Sequence, residues 1–85
     1  MSDKKELLLE TLASAIKEKR GNISINRLSL ESDVSKSILS MIEKAKRDPQ
    51  LSTIFKIAEA LYMKPSELLC LVEQKLGEDF SLIDN

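Results

Sequence analysis

The 85-residue sequence contains no histidine, no tryptophan and a single cysteine, Cys70. This composition excludes an internal disulfide and any zinc site built from histidine and cysteine ligands. No apolar run approaches the roughly 20 residues of a membrane span, and the polar first residues do not resemble a signal peptide. We therefore expect no metal, no cofactor, no membrane and a cytoplasmic location, with Cys70 buried in the core or at an interface.

Glycine, proline and aromatic residues are also scarce, at two, two and three respectively. A β-sandwich or barrel needs many turns and large β-forming side chains, so this scarcity argues against both. Leucine, isoleucine, lysine, glutamate and serine dominate instead, which favours an all-α fold. The length suits a single domain, residues 1–85. A core this small is often stabilised by dimerisation.

Nothing in the sequence favours an enzyme. There is no histidine to act as a general base, no glycine-rich phosphate loop and no pair of carboxylates in an apolar setting. The charge pattern is more informative than the net charge of −1. Residues 17–56 contain nine Lys and Arg against five Asp and Glu, whereas residues 57–85 contain two against six. The middle of the chain can therefore present a positive patch to a polyanion.

Apolar residues at three- and four-residue spacings, together with start and stop signals, predict five helices. The helices span about residues 5–20, 25–32, 36–44, 51–62 and 65–76, and a C-terminal tail follows at 77–85. Gly21 ends the first helix, and Ser24 and Ser35 are the predicted N-caps of the second and third. Pro65 takes the first position of the fifth helix, where its missing N–H does no harm.

A tight turn is predicted between the second and third helices, at Ser32, Asp33 and Val34. Asp33 is the expected turn residue, because aspartate reaches left-handed backbone angles at tolerable cost. Leu28 and Leu39 point inward, which leaves the third helix with a polar outer side. The residues on that side are Ser35, Lys36, Ser37, Ser40 and Lys44. A short polar helix held clear of the core fits the DNA major groove, so double-stranded DNA is the expected partner.

Five sequence features share a joint spacing over about residues 7–70. They are Ser24, Leu28, Val34-Ser35, Leu39-Ser40-Met41-Ile42-Glu43, and Lys46-Arg47-Asp48-Pro49 followed by apolar positions from Ile54 to Leu69. Together they resemble the phage-repressor family of helix-turn-helix domains, that of lambda repressor and Cro, also called XRE-type. The resemblance implies a compact, five-helix, lambda-repressor-like DNA-binding domain with the helix-turn-helix at helices 2 and 3. It also implies a sequence-specific transcriptional regulator, either a small repressor or a protein like the controllers of restriction–modification systems.

Such a regulator would bind a palindromic operator as a homodimer, with its third helix in the major groove. The predicted DNA-contacting residues are Ser24, Ile25, Ser35, Lys36, Ser37, Ser40, Met41, Lys44, Lys46 and Arg47. The resemblance implies that Lys36, Ser37 and Met41 reach base edges. Ile25, Lys46 and Arg47 match positions that contact the DNA backbone.

Several positions depart from the family pattern. Ser29 stands where alanine is preferred, and Asp33 and Ala45 stand where glycine is usual. Glu43 matches a structural glutamate that pairs with a basic residue, for which Arg20 and Arg27 are both candidates.

Apolar side chains on the predicted DNA surface keep a second interpretation open. Ile25 and Met41 occupy positions where polar residues are common, and Leu30 is expected to be exposed. With the near-neutral net charge, they fit a protein-interaction module, such as an antitoxin or adaptor, that retains the fold with weak or no DNA binding.

The apolar face of the fifth helix is wider than one flank of so small a core requires. It is either a packed core face or the seam of a homodimer. The predicted dimer-interface residues are Leu68, Leu69, Leu71, Val72, Leu76 and Phe80.

Overall fold

α-Helices account for all the regular secondary structure in residues 3–83, the part of the chain that the computed structural model describes. The five helices are α1 (Asp3–Arg20), α2 (Ile25–Ser32), α3 (Lys36–Glu43), α4 (Leu51–Ala60) and α5 (Pro65–Leu76). The prediction of an all-α, five-helix fold is confirmed. None of these helices combines the length and apolar content that crossing a lipid bilayer requires.

Every helix contributes to one apolar core. α1 packs against α3 and α5, α2 packs against α3 and α4, and α4 also packs against α5. The largest fully buried side chains, drawn from all five helices, are Ile16, Leu28, Leu39, Ile42, Ile57 and Leu68. Burial of each such side chain stabilises the fold by about 1.5–3 kcal/mol. The inward stripes predicted from helical spacing therefore meet at a single centre.

Gly21 ends α1 in the left-handed region at φ 54°, and non-glycine residues in that region end three more helices. Asp33 follows α2 at φ 59°, Ala45 follows α3 at φ 58°, and Tyr62 follows α4 at φ 60°. The prediction that Asp33 adopts this conformation is confirmed. After α3, the amides of Ala45 and Lys46 donate back to helix carbonyls at 3.0 and 2.9 Å. This pattern satisfies carbonyl groups that would otherwise lack partners.

Three helix boundaries differ from the prediction. α1 begins at Asp3 rather than at residue 5, because an acidic first turn suits a helix N-terminus. α3 ends at Glu43 rather than at residue 44, and α4 ends at Ala60 rather than at residue 62. The left-handed residues that follow cut both helices short. After α4 there is a further reason, since Pro65 holds Lys64 in an extended conformation at φ −73° and ψ 143°.

A buried ion pair joins the end of α1 to the end of α3. Arg20 Nε donates to Glu43 Oε2 at 2.7 Å, and Arg20 Nη2 donates to Glu43 Oε1 at 2.9 Å. Arg20 Nη1 also donates to the carbonyl of Ile23 at 2.8 Å. Hydrogen bonding to Glu43 raises the pKa of Arg20 above its ordinary value. The expectation that Glu43 pairs with a basic residue is confirmed for Arg20, whereas Arg27 pairs with Glu31 at 3.3 Å.

Substitution of Ala45 by glycine should stabilise the domain. Its φ of 58° strains an L-residue but not glycine, so we expect Ala45→Gly to raise the free energy of unfolding by about 0.5–1 kcal/mol. Gly21→Ala is the matched control, because Gly21 has φ +54° and an added Cβ would meet nothing within 4 Å. It should lower stability through backbone strain alone. Urea unfolding measures the stability of both variants. A loss of stability in Ala45→Gly would contradict the left-handed conformation of Ala45.

Removal of one partner of the buried ion pair should destabilise the domain strongly. The side chain of Glu43 is 9% exposed and that of Arg20 is 22% exposed, so we expect Glu43→Ala to cost about 2–4 kcal/mol. Glu31→Ala breaks an exposed pair and should cost at most about 1 kcal/mol. Urea unfolding of both variants and of Arg20→Ala/Glu43→Ala gives the comparison. Equal losses of unfolding free energy in Glu43→Ala and Glu31→Ala would show that the buried pair does not hold α3 in place.

Candidate nucleic-acid interface

Serine hydroxyl groups cap the starts of α2 and α3 and fix the turn between the two helices. The Oγ atoms of Ser24 and Ser35 accept hydrogen bonds from backbone N–H groups three residues further on, at 3.1 and 3.2 Å. Both predicted N-caps are therefore confirmed. Ser29 Oγ donates to the carbonyl of Val34 at 2.6 Å. This bond ties α2 to the turn and gives a physical reason for serine at a position where alanine was expected.

α3 presents one face to the core and the other to solvent. Leu39 and Ile42 are buried, and Ile38 is half-buried against the core. The exposed residues at the N-cap and on the outer face are Ser35, Lys36, Ser37, Met41 and Lys44. Ser40 is half-buried beside them. Met41 is 40% exposed, so an apolar group lies on an otherwise polar surface.

A groove of about 580 Å³ lies between α3, the start of α2 and the last turn of α1. Half of the ten predicted DNA-contacting residues line it, and they are Ile25, Lys36, Ser37, Ser40 and Lys44. Lys17 and Glu43 complete the lining. Ile25 also packs partly against the core, which makes it an apolar wall of this recognition groove. The structure thus joins side chains from three helices in one concave surface.

The remaining five predicted residues lie outside the recognition groove. Lys46 and Arg47 are exposed in the loop between α3 and α4. Ser24 and Ser35 use an oxygen lone pair for capping, and a serine hydroxyl used in this way keeps a proton to donate. Ser35 Oγ also lies 3.4 Å from Ser37 Oγ, and either hydroxyl can be the donor of that bond. Met41 lies on the outer face of α3, beyond the groove lining.

Ion pairing sorts the basic residues into two groups. Five basic residues form ion pairs with acidic residues within residues 3–83, and they are Lys5, Arg20, Arg27, Lys56 and Lys75. Seven others form no ion pair in this part of the chain. Lys19 and Lys64 are two of them, and the five that lie around α3 are Lys17, Lys36, Lys44, Lys46 and Arg47. Glu43 is the one acidic residue of the groove lining, and Arg20 compensates its charge. Most of the basic residues that form no ion pair among residues 3–83 therefore lie at the recognition groove and the adjoining loop. Lys44 and Lys46 also line a second groove, whose acidic residues are Glu6, Glu10 and Asp48.

Lys17 is a groove residue that the sequence predictions missed. A signal for it was present, because Arg20 lies one helical turn further along α1 and was a candidate partner of Glu43. Residues three apart on a helix share a face. The side of α1 that reaches α3 should therefore also carry Lys17.

Two of the six predicted dimer-interface residues are core residues. Leu68 is 0% exposed and Val72 is 4% exposed, because α5 packs against both α1 and α4. Their assignment to a dimer seam is wrong, since they have almost no surface to offer a partner. The three half-buried residues of the set are Leu71, Leu76 and Phe80. Leu69 is 41% exposed and remains available.

Exposed apolar side chains also lie on α4. Leu51 is 66% exposed and Phe55 is 45% exposed, and their four-residue spacing puts them on the same face of the helix. Ile54 of α4 and Leu69 of α5 line a small apolar groove of about 150 Å³, together with Pro49 and three leucines of α1. This α4–α5 apolar surface was not predicted from the sequence.

Cys70 is exposed, so the core, one of the two places expected for its thiol, is excluded, and a place at an interface stays a prediction. It lies two residues from both Leu68 and Val72, which places it on the side of α5 opposite the buried stripe. In the described part of the chain, no three His, Cys, Asp or Glu side chains are grouped so that they could hold a metal ion.

Comparisons with known proteins agree with this geometry. Residues 16–68, which include the helix-turn-helix and the groove, match the helix-turn-helix family. The control protein C.BamHI of Bacillus amyloliquefaciens is 31% identical over 85 residues, which are 100% of this chain and 94% of that protein. The crystal structure of the restriction-modification controller protein C.AhdI from Aeromonas hydrophila is 29% identical, with a TM-score of 0.67 over 71% of this chain and 94% of that chain. The chain belongs to the XRE-type helix-turn-helix family, and it is a DNA-binding transcriptional regulator rather than a member of an enzyme family.

Proposed function

We propose that this chain is a controller-type regulator that binds a palindromic operator as a homodimer, with α3 of each subunit in the major groove. The observation that carries the proposal is the outer face of α3. It is largely polar and exposed, and it is bordered by lysines that form no ion pair with any residue from 3 to 83. Buried contacts hold its inner face on the core. A recognition helix needs this combination of a rigid base and accessible donors.

Base contacts are assigned to one side of α3. Ser37 and Met41 are four residues apart, so they form a row that continues to Lys44. The hydroxyl of Ser37 and the ammonium of Lys36 can bond base edges in the major groove, and guanine O6 and N7 suit Lys36. Met41 can pack against the C5 methyl group of thymine, which gives an exposed methionine a physical role.

Backbone contacts are assigned to the edges of this surface. The first amides of α2, at Ile25 and Asn26, have no partner within the helix and can bind a phosphate. Ile25 itself cannot donate through its side chain, so the backbone replaces the polar side chain common at that position. Lys46 and Arg47 are exposed in the next loop and can bond phosphates further along the strand.

Dimerisation is proposed through the α4–α5 apolar surface. Leu51, Phe55 and Leu69 are exposed at 66%, 45% and 41%, and exposed apolar side chains on two helices that pack against each other favour an interface there. A twofold dimer would hold two copies of α3 about 34–36 Å apart, which is one turn of DNA. This seam keeps Leu69 from the sequence prediction and adds the two α4 residues.

The controller class is supported by the two relatives, one a control protein and the other a restriction-modification controller protein. We propose that the chain has the same role and acts in the cytoplasm, where its DNA would be found. The interpretation as a protein-interaction module is not favoured, because the family is one of DNA-binding regulators and the unpaired charge surrounds α3.

Truncation of two α3 side chains should abolish operator discrimination. Lys36→Ala with Ser37→Ala removes donors at the N-terminal end of α3, and each good base contact contributes about 1–3 kcal/mol of discrimination. We expect the ratio of operator to random-duplex affinity to fall at least about tenfold. Both side chains are exposed, so helicity and the melting temperature should be unchanged.

The matched control for this test is Lys64→Ala with Ser66→Ala, which removes the same two side-chain types at the exposed start of α5. It should retain the affinity ratio of the natural sequence. Fluorescence anisotropy with an operator selected by the natural protein measures both. A full affinity ratio in the α3 double variant would remove α3 as the reading element.

A charge placed in the α4–α5 surface should separate the subunits. Phe55→Glu and Leu69→Glu each put a carboxylate where two apolar faces would meet, so each variant should sediment as a monomer and bind the operator much more weakly. Leu30→Glu is the control, because Leu30 is 84% exposed and lies on α2. It should sediment like the natural protein. If both seam variants kept the natural sedimentation coefficient, the proposed seam would be wrong.

A further inference from the structure

The last turn of α1 carries four charged residues with different surroundings. Glu18 accepts a hydrogen bond from Lys75 Nζ at 3.0 Å, and this bond lowers the pKa of Glu18. Arg20 is held by its ion pair with Glu43. Lys19 lines a separate groove together with Met63 and residues of α5. Only Lys17 among the four lines the recognition groove.

Lys17 is exposed and forms no ion pair within the described residues. Across the groove from it are two further lysines, Lys36 and Lys44, which are also without ion pairs. The only acidic group of the lining, Glu43, is held at 2.7 Å by Arg20. Three ammonium groups therefore surround one concave surface that has no compensating negative charge of its own.

An anion is the chemical complement of this arrangement. Lysine is a compact point charge that bonds phosphate oxygens well but fixes no base identity from a distance. Because α3 carries the base-reading residues, a lysine on a different helix at the far wall of the groove is suited to the sugar–phosphate backbone beside them.

We infer that Lys17 is a DNA-backbone contact from α1, which binds a phosphodiester at the wall of the groove opposite Lys36 and Lys44. The inference rests on the proposed function and adds a third helix to the DNA-contacting surface. It also defines what Lys17 does: it adds affinity for any duplex and leaves sequence preference unchanged.

The test compares Lys17→Ala with Lys19→Ala in the full chain. The two variants lose the same charge from the same helical turn, but Lys19 lies outside the recognition groove. Affinity for operator and random duplexes is measured by fluorescence anisotropy between 50 and 200 mM salt. Each phosphate contact contributes about 0.9 to the slope of log affinity against log salt.

We expect Lys17→Ala to lower the salt slope by about 0.9 per subunit and to weaken both duplexes by the same factor, about fivefold to tenfold per subunit at 0.1 M salt. Lys17→Arg should keep the slope, since it keeps a positive charge at the same position. Lys19→Ala should match the natural protein. The Lys17→Ala variant should also melt at the natural temperature, because its side chain is exposed.

Two results would overturn the inference while leaving the proposed function intact. One is a salt slope and a DNA affinity in Lys17→Ala that equal those of the natural protein, in an assay in which Lys36→Ala binds DNA more weakly. The other is an equal loss of DNA affinity in Lys17→Ala and Lys19→Ala, which would show that the effect comes from net charge alone. Failure of the natural protein to bind any duplex at 50 mM salt would instead remove the proposed function, and the inference with it.

Discussion

The ion pair between Arg20 and Glu43 is the constraint on which the recognition surface depends. One guanidinium bonds the end of α3 through Glu43 and the α1–α2 connection through the carbonyl of Ile23. The end of α1, the connection to α2 and the end of α3 are therefore joined by the guanidinium of Arg20. Its planar fork of donors suits carboxylate geometry. The same pair removes the charge of Glu43 from the groove. Rigidity and positive potential at the DNA surface thus have a common origin.

A chain with a net charge of −1 can bind a polyanion because its charges are sorted in space. Glu18 and Asp33 pair with Lys75 and Lys56, and Glu43 pairs with Arg20. Lys17, Lys36, Lys44, Lys46 and Arg47, in contrast, form no ion pair among the described residues. The local field matters for association with DNA, and the net charge does not describe it. The patch is modest, so two subunits on one duplex would double the number of phosphate contacts and make dimerisation part of the affinity.

Local signals in the sequence predicted the helix-turn-helix well, because they act within a few residues. Ser24 and Ser35 cap their helices and Asp33 makes the left-handed turn, as their chemistry indicated. Long-range packing was beyond such signals. Helical spacing identified the apolar face of α5, but it could not tell that neighbouring helices cover Leu68. Lys17 was missed because its signal combines two observations from distant parts of the chain. These are the pairing of Arg20 with Glu43 and the face that Arg20 and Lys17 share on α1.

The most direct measurement of the central claim is selection of duplexes from a random pool by the natural protein, followed by sequencing. An inverted repeat whose half-sites are centred about 10–10.5 base pairs apart is the expected outcome, because a twofold pair of α3 helices spans one turn of DNA. Enrichment of no sequence above the starting pool, at a salt concentration where the protein binds DNA, would contradict the account.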